Sequence, residues 1–513
     1  MASSVHILGL DIGTTSTKTI VFTAEGDVVA QQTAYYPLLS PQPDVQEQDP
    51  AVIYDAVTQS IGIVVETAGC SDTLVGISIS AAMHTLIAVD AQGAPLTRSI
   101  TWADRRSAPW VDQIRQRCDA HALYTRIGVP LHPMLPLVKL LWLQHDQPQV
   151  FQQAAKFISI KEYILHRWFD CFVVDHSIAN ATGLFNIYEM DWDGEALGLA
   201  DISRDRLSEL VPTTHRLQGM KPSVAAAMGL AADVPVVVGA SDGALANLGV
   251  GAIAPGQVTV TVGTSGAVRA SVTTPQTDPE ERLFCYALTQ DRWVIGGATN
   301  NGGIVLRWVR DHLADAEVDT AQLLQTDPYN ILTQIAATAP AGSAGLLFHP
   351  YLAGERSPLW DANARGSFFG LALHHTKAHM MRAVLEGIVY NLQMILQAVE
   401  EVAGPTQMVH GTGGLTRSTL WLQMLADVFD REVTVPKMVE GSCLGAAMLG
   451  LYALGYLDSL EAGLALVGKG DRHKPDDAAV MRYKTILPLY GALVDAVKPL
   501  YGALSRAEHD AAV

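Results

Sequence analysis

The 513-residue chain has little cysteine, and what it has is scattered. Cys70, Cys118, Cys171, Cys285 and Cys443 are odd in number and never spaced C-x-x-C. That pattern excludes a disulfide framework or a zinc knuckle and predicts free, mostly buried thiols in a reducing compartment. Positive charge is also scarce: 34 Lys and Arg stand against 52 Asp and Glu, a net charge of −18. With no general basic field to hold a polyanionic duplex, nucleic acid is not an expected partner. Long apolar runs are missing too. The longest uncharged stretch, between Glu440 and Asp458, is rich in Gly and Ala and falls short of the roughly 20 residues that span a bilayer. It reads as a buried helix. Met1-Ala2-Ser3-Ser4 leads straight into a strand-like stretch without a basic segment or an apolar leader core, so a cytoplasmic protein with no membrane partner is expected. No internal repeat or low-complexity tract is visible.

What is present is the profile of an ordinary folded chain, 49% hydrophobic and 17% charged, long enough for two domains. The first thirty residues read as a β-meander: apolar Val5 to Leu10, a turn from Asp11 to Ser16, β-branched Lys18 to Phe22, and a turn at Glu25-Gly26-Asp27. Asp49 is a natural N-cap for a helix with Pro50 in its first position, and Ile53, Val57, Ile61 and Val64 give that helix one apolar face. Leu74 to Ser80 reads as a strand, and so does Val234 to Val238, which runs into Gly239-Ala240-Ser241-Asp242-Gly243. A second unit begins at Gly256, with strands over Val258 to Val262 and Ala267 to Val272 joined by Gly263-Thr264-Ser265-Gly266. A long helix over about 378–402, a strand at Met408 to His410 and a helix from about 418 complete it. The expected architecture is two similar α/β halves, dividing near 245–255, with a cleft between them.

Asp11-Ile12-Gly13-Thr14-Thr15-Ser16-Thr17-Lys18 puts a carboxylate, a glycine, consecutive hydroxyls and a cation into one strand-to-strand turn. Gly13 lets backbone N–H groups approach an anion, Thr14, Thr15 and Ser16 add donors, Lys18 adds charge, and Asp11 is placed to hold Mg²⁺. The same device returns at Gly263, Thr264 and Ser265, so two such turns can grip successive phosphates of a nucleotide from opposite sides of the cleft. Gly413 and Gly414, ahead of Ser418, stand between a strand and a helix, where backbone can approach a ribose or adenine. An unliganded turn accounts for this pair equally well. Asp242 ends an apolar strand between two glycines, and phosphoryl transfer to a hydroxyl needs one carboxylate to take the proton. It is the candidate general base; the competing reading is a helix N-cap.

The same segment spells G-x-S-x-G around Ser241, the pattern of a hydrolase nucleophile, but no oxyanion loop precedes it and both Gly-Thr turns would go unexplained. Gly463 to Lys469 matches G-x-x-x-x-G-K, yet Gly470 stands where a Ser or Thr belongs. Ser80-Ala81-Ala82-Met83-His84 and Thr101-Trp102-Ala103-Asp104-Arg105-Arg106 resemble a polyol site, with an aromatic plate, an acceptor and forked donors. Ala82, Met83, His84, Trp102, Asp104 and Arg105 are therefore candidate acceptor residues, though each also has an ordinary structural explanation.

Together these motifs resemble the FGGY family of carbohydrate kinases over essentially the whole chain. Asp11 through Lys18 is similar to the family's first phosphate motif, Gly263-Thr264-Ser265 to its second, Gly413-Gly414 with Ser418 to its adenosine motif, and Asp242 to its catalytic base. Gly303 aligns with a glycine lining the nucleotide pocket of relatives, and Pro350 to Trp360 resembles the C-terminal signature. The resemblance implies two ribonuclease-H-like, actin-type ATPase domains, 1–248 for sugar and phosphates and 249–513 for nucleotide, closing on ATP and Mg²⁺. Glycerol kinases carry Arg-Glu at Met83-His84. Xylulokinases share Met-His but usually carry Gln at Ala82 and an amide residue at Gly243. Asp175-His176-Ser177, Asn180-Ala181-Thr182-Gly183 and Asn300-Asn301-Gly302-Gly303 are most similar to the gluconokinase branch, so phosphorylation of gluconate to 6-phosphogluconate is expected, with xylulose or a related sugar as the alternative acceptor. Gluconate's carboxylate needs a cationic partner, and Arg105, Arg106, Lys161 and His84 are the candidates. A non-catalytic sugar sensor is disfavoured because no DNA-binding segment precedes the first strand. Oligomeric state is left open, a homodimer among the options.

Overall fold

The computed structural model describes residues 5–437, 440–468 and 470–512. Met1 to Ser4 and Lys469, on which the leader and P-loop readings bear, lie outside them. The amino-terminal meander forms as expected: His6–Ile12, Ser16–Thr23 and Val28–Tyr35 pair antiparallel in succession. The sheet then grows on the other side of His6–Ile12, where Leu74–Ala81 and Val236–Ser241 add in parallel and Arg216–Leu217 closes the edge. Asp49 caps the helix Pro50–Ala68 through the Ala51 N–H, and Ile53, Val57, Ile61 and Val64 are buried along its inner face.

The second half repeats the plan. Gln257–Val262 pairs antiparallel with Gly266–Val272, which pairs with Arg292–Thr299 and through it with Phe284–Thr289; on the other side Met408–Gly413 and Val433–Thr434 add in parallel. In each sheet a hairpin therefore presents its turn at the end where parallel strands also terminate, the end at which α/β sheets bind ligands. Each half has its own apolar core, and a third core joins the helical segment around Pro136–Asp146 to Phe284, Tyr286 and Trp293 of the second sheet.

The apolar run after Glu440 is the buried helix Gly441–Leu454, and it crosses Asp242–Gly249 almost backbone to backbone. A Cβ on Gly445 would lie 1.9 Å from the Leu245 carbonyl oxygen, so any side chain there forces the helices apart. This contact joins the helix that begins at Asp242 to the second half of the chain. Among the described residues all five thiols are free, with Cys70, Cys285 and Cys443 buried, and no helix is long and apolar enough to cross a membrane.

Candidate active site

Two cavities meet at one glycine. The first, about 270 Å³, is lined by Thr14, Met83, His84, Trp102, Asp242, Ser265, Arg269, Tyr286, Arg356 and Trp360 among others. The second, about 450 Å³, is lined by Thr264, Gly303, Arg307, Tyr329, Gly414, Arg417, Ser418 and Trp421. Gly263 belongs to both walls. The smaller space is polar and aromatic, the larger has a long mixed wall, and the hydroxyl-rich turn separates them.

Each glycine turn is closed by its own backbone. Gly13 N–H donates to the Ser16 carbonyl at 3.0 Å and Gly263 N–H to the Ser265 carbonyl at 2.8 Å. The second turn is fastened further by Gly303 N–H to the Gly263 carbonyl (2.7 Å) and Ile304 N–H to the Thr264 carbonyl (3.0 Å). Gly303 has to lack a side chain, because a Cβ would stand 2.6 Å from the Gly263 oxygen. Gly303→Ala is therefore expected to displace the turn and lower kcat/KM for nucleotide by about tenfold to a hundredfold, as misplacements of this size do. Steady-state titration of ATP checks it. Ser418 caps the helix Thr419–Phe429 and lines the larger cavity with Gly414, while Gly413 takes φ +81°. Lys18 holds Glu440 across a 2.6 Å ion pair.

Asp242 is the first residue of the helix Asp242–Gly249, whose N-cap is Ser241, and its carboxylate lies in the wall of the smaller cavity. Burial pushes this carboxyl above the ordinary range, with Arg269 pulling the other way. Asp11 is raised to about 7 by burial and then by the charge of Asp242, while a 2.6 Å hydrogen bond from Ser80 opposes the rise. Ser241 is fully buried and hydrogen bonded to Ser177, so it has no access to a substrate and the hydrolase reading falls. Gly463 sits in the one-and-a-half-turn helix Ala462–Leu466, away from both cavities.

The acceptor candidates divide sharply. Met83, His84 and Trp102 line the smaller cavity. The Trp102 indole donates to Thr14 Oγ1 at 2.9 Å, tying the aromatic plate to the first glycine turn. His84 donates from Nδ1 to the Ala181 carbonyl at 2.6 Å and accepts at Nε2 from the Tyr286 hydroxyl at 3.2 Å; burial holds its pKa down to about 3, so it is neutral. Ala82 is buried with its N–H on the Ile12 carbonyl, and Asp104 accepts from Gln46 N–H and Arg106. Arg105 is exposed, and Arg106 is shared between Glu47 and Asp104. Lys161 is 1% exposed, bound to Asp175 at 2.7 Å and to the Ala240 carbonyl at 3.0 Å. None of these five residues lines the cavity: the polar atoms of Asp104, Arg106 and Lys161 are engaged by other groups of the protein, Ala82 is buried, and Arg105 is exposed outside it.

Three further residues in or behind the cavity wall had no place among the sequence candidates. Arg269 and Arg356 enter the cavity wall, and Lys139, fully buried, donates to the carbonyls of His84 (2.5 Å) and Thr101 (2.8 Å). Lys139 thereby clasps both acceptor loops and restrains His84 in a left-handed conformation, φ 65°, that non-glycine residues adopt at a cost. A lone arginine inside the otherwise apolar strand Gly266–Val272 was the one available signal for Arg269. Asp175, Ser177 and Asn180 act as scaffold: Asp175 caps the next turn, Ser177 holds Ser241, and Asn180 bridges the Ile127 carbonyl and Ala287 N–H.

Family models for the N-terminal and C-terminal domains of the FGGY family of carbohydrate kinases match residues 6–249 and 258–454. The chain is 48% identical over 486 residues to a gluconokinase of Bacillus subtilis, 94% of each chain being covered. A crystal structure of gluconate kinase from Lactobacillus acidophilus superposes with a TM-score of 0.92 at 36% identity, covering 98% of this chain and 100% of that one. A ligand-bound xylulose kinase from the same organism gives 0.92 at 35%, covering 97% and 99%. The duplicated sheets thus form the ribonuclease-H-like, actin-type ATPase fold that the motifs implied. With both domain models and near full-length relatives in agreement, the chain belongs to the FGGY family of carbohydrate kinases.

Proposed function

We propose that this kinase transfers the γ-phosphoryl group of ATP to the primary hydroxyl of gluconate. The observation that carries the reading is the shared Gly263 wall: a nucleotide in the larger cavity directs its phosphates past the turn into the smaller one, where Asp242 waits. The 48% identity to gluconokinases favours the acid over a ketose as acceptor.

The chemistry asks for positioning, charge neutralisation and one proton acceptor. Asp242 accepts the hydroxyl proton as the new O–P bond forms and the bond from the γ-phosphorus to the bridging oxygen breaks. A carboxylate raised by burial is a stronger base than one in water, which suits the task. Thr14, Thr264, Ser265 and the turn N–H groups face the phosphates, and Trp102 offers its ring to the C–H surface of the polyol. No cluster of three metal-ligand side chains exists among the described residues, which fits Mg²⁺, an ion that uses one or two carboxylates and completes its shell with phosphates and water. Asp11, half-buried near Asp242 with its ionised form disfavoured, fits that role, and the ion would supply charge neutralisation at the phosphates.

This assignment predicts proton linkage. Because Asp11 sits at about 7 when unliganded, it is partly protonated near neutrality, and a cation binds only its ionised form. Binding of Mg²⁺·ATP should release up to one proton, tighten as pH rises from about 6 to 8 and level off above. Without the ion the sign reverses for stability: the raised carboxyl costs folding energy increasingly from about pH 4 to 7. Calorimetry in buffers of different ionisation enthalpy measures the proton release. The acceptor is tested by ADP formation with gluconate, xylulose, ribulose, glycerol and no acceptor. Gluconate is expected to lead by tenfold or more in kcat/KM; a lead for xylulose overturns the acceptor, and no turnover with any of them overturns the reading.

A further inference from the structure

Gluconate differs from neutral polyols by one carboxylate, and the cations expected to receive it are already engaged. Lys161 sits on Asp175, Arg106 on Asp104 and Glu47, Arg105 is exposed outside the cavity, and His84 is neutral with both ring nitrogens bonded. Two other guanidinium groups stand in the acceptor cavity with capacity to spare. Arg269 makes no hydrogen bond or ion pair among the described residues, and its buried Nε has no partner. Arg356 also has a buried, unpartnered Nε; it donates one bond, from Nη2 to the Thr299 carbonyl at 3.3 Å, and its guanidinium lies 5.0 Å from the centre of the Trp102 ring. Buried donors are nearly always satisfied in native proteins, so an orphaned one points to a ligand.

The surroundings order the two groups along the cavity. Asp242 is the counter-charge of Arg269, whereas the counter-charge of Arg356 is its neighbour Glu355, and Tyr286 stands near both. Gly243, the residue after Asp242, packs against Arg269, and Arg356 lies over the Trp102 ring, so Arg269 stands on the Asp242 side of the cavity and Arg356 on the Trp102 side. Space is made for Arg269 by a missing side chain: a Cβ on Gly243 would lie 3.2 Å from Arg269 Nε and 3.3 Å from Met83 Cε, and an Asn or Gln there would fill the guanidinium's place. Arg356 is held from behind, since Glu355 accepts from the N–H groups of Asn300 and Arg356 and from Thr299 Oγ1.

Building on the kinase reading above, we propose that Arg356 and Arg269 form a carboxylate subsite that selects open-chain sugar acids, with Arg356 taking the carboxylate, Arg269 facing it from the Asp242 side, and Gly243 keeping the pocket open. An anion lodged between them also relieves the mutual repulsion of the two cations. A planar fork suits a carboxylate better than an ammonium does.

The test is binding and turnover of gluconate against glucitol, the same carbon chain with a hydroxymethyl group in place of the carboxylate, in the full-length protein. Wild type should prefer gluconate strongly. Arg356→Met and Arg269→Met should each lower gluconate affinity by about tenfold to a hundredfold, the range for charge-assisted bonds, and lower glucitol affinity far less, while an ATP analogue binds as before. Gly243→Asn should reproduce the Arg269→Met result without removing any charge, and Arg356→Lys should recover only part of the loss. Retained affinity for the ATP analogue shows that a variant is folded. If both Met variants lose no more gluconate affinity than glucitol affinity, the subsite is overturned while turnover of gluconate by wild type keeps the kinase reading. If wild type selects gluconate over glucitol yet transfers no phosphoryl group to it, the subsite stands and the kinase reading falls. Failure of wild type to bind gluconate overturns both.

Discussion

Replacing Asp242 by Asn is expected to lower kcat by about a thousandfold, within the range that positioned acid–base groups contribute. The amide keeps the shape of the carboxylate and can still accept from Gly243 N–H through Oδ1, a bond of 2.7 Å in the native protein, so the helix start is preserved. What disappears is the proton acceptor. Because Asp242 lines the acceptor cavity and not the nucleotide cavity, KM for ATP should stay within roughly twofold, the signature of an interaction used in the transition state rather than in ground-state binding. Stopped assays of ADP formation and a nucleotide titration on the same preparation check both halves. Turnover near the native rate removes Asp242 from its role.

Lys161→Met is expected to act on the fold instead. The ammonium is 1% exposed and its partner Asp175 is fully buried; deleting one charge of such a pair typically costs about 3–5 kcal/mol because the other is left uncompensated. Lys161 also holds the Ala240 carbonyl, two residues before the base, so the loss falls on the strand that carries Asp242. Removing both charges in Lys161→Met/Asp175→Leu should be milder than the single change. Denaturant unfolding of the three proteins measures this. A role as carboxylate ligand predicts the opposite pattern: native stability in Lys161→Met with a selective loss of gluconate affinity.

The two arginines, the buried Lys139 and the engaged Lys161 mark where sequence reading stopped. Turns such as Gly13 to Ser16 and Gly263 to Ser265 are legible because their chemistry is local: a glycine and consecutive hydroxyls have to lie close together to cradle an anion, so spacing in the chain is spacing in space. The helix after Asp49 and the buried helix after Glu440 are legible for the same reason, since caps and apolar faces repeat over a few residues. An acceptor subsite is different. His84, Trp102, Arg269, Tyr286 and Arg356 come from five separate stretches, and whether a cation is free depends on who else reaches it. Nothing near Lys161 in the chain announces that Asp175 and Ala240 will claim its charge, and nothing near Gly243 announces that its missing side chain admits Arg269.

The amino-acid sequence by itself therefore determined the duplicated α/β plan, both glycine-hydroxyl turns and the carboxylate at the end of an apolar strand, because each is encoded in a short contiguous pattern. Only the tertiary structure decided which cations line the smaller cavity, that His84 is neutral, and that Ser241 is sealed away. Those outcomes depend on burial and on competition among distant groups for the same hydrogen bonds, and neither exists until the chain is folded.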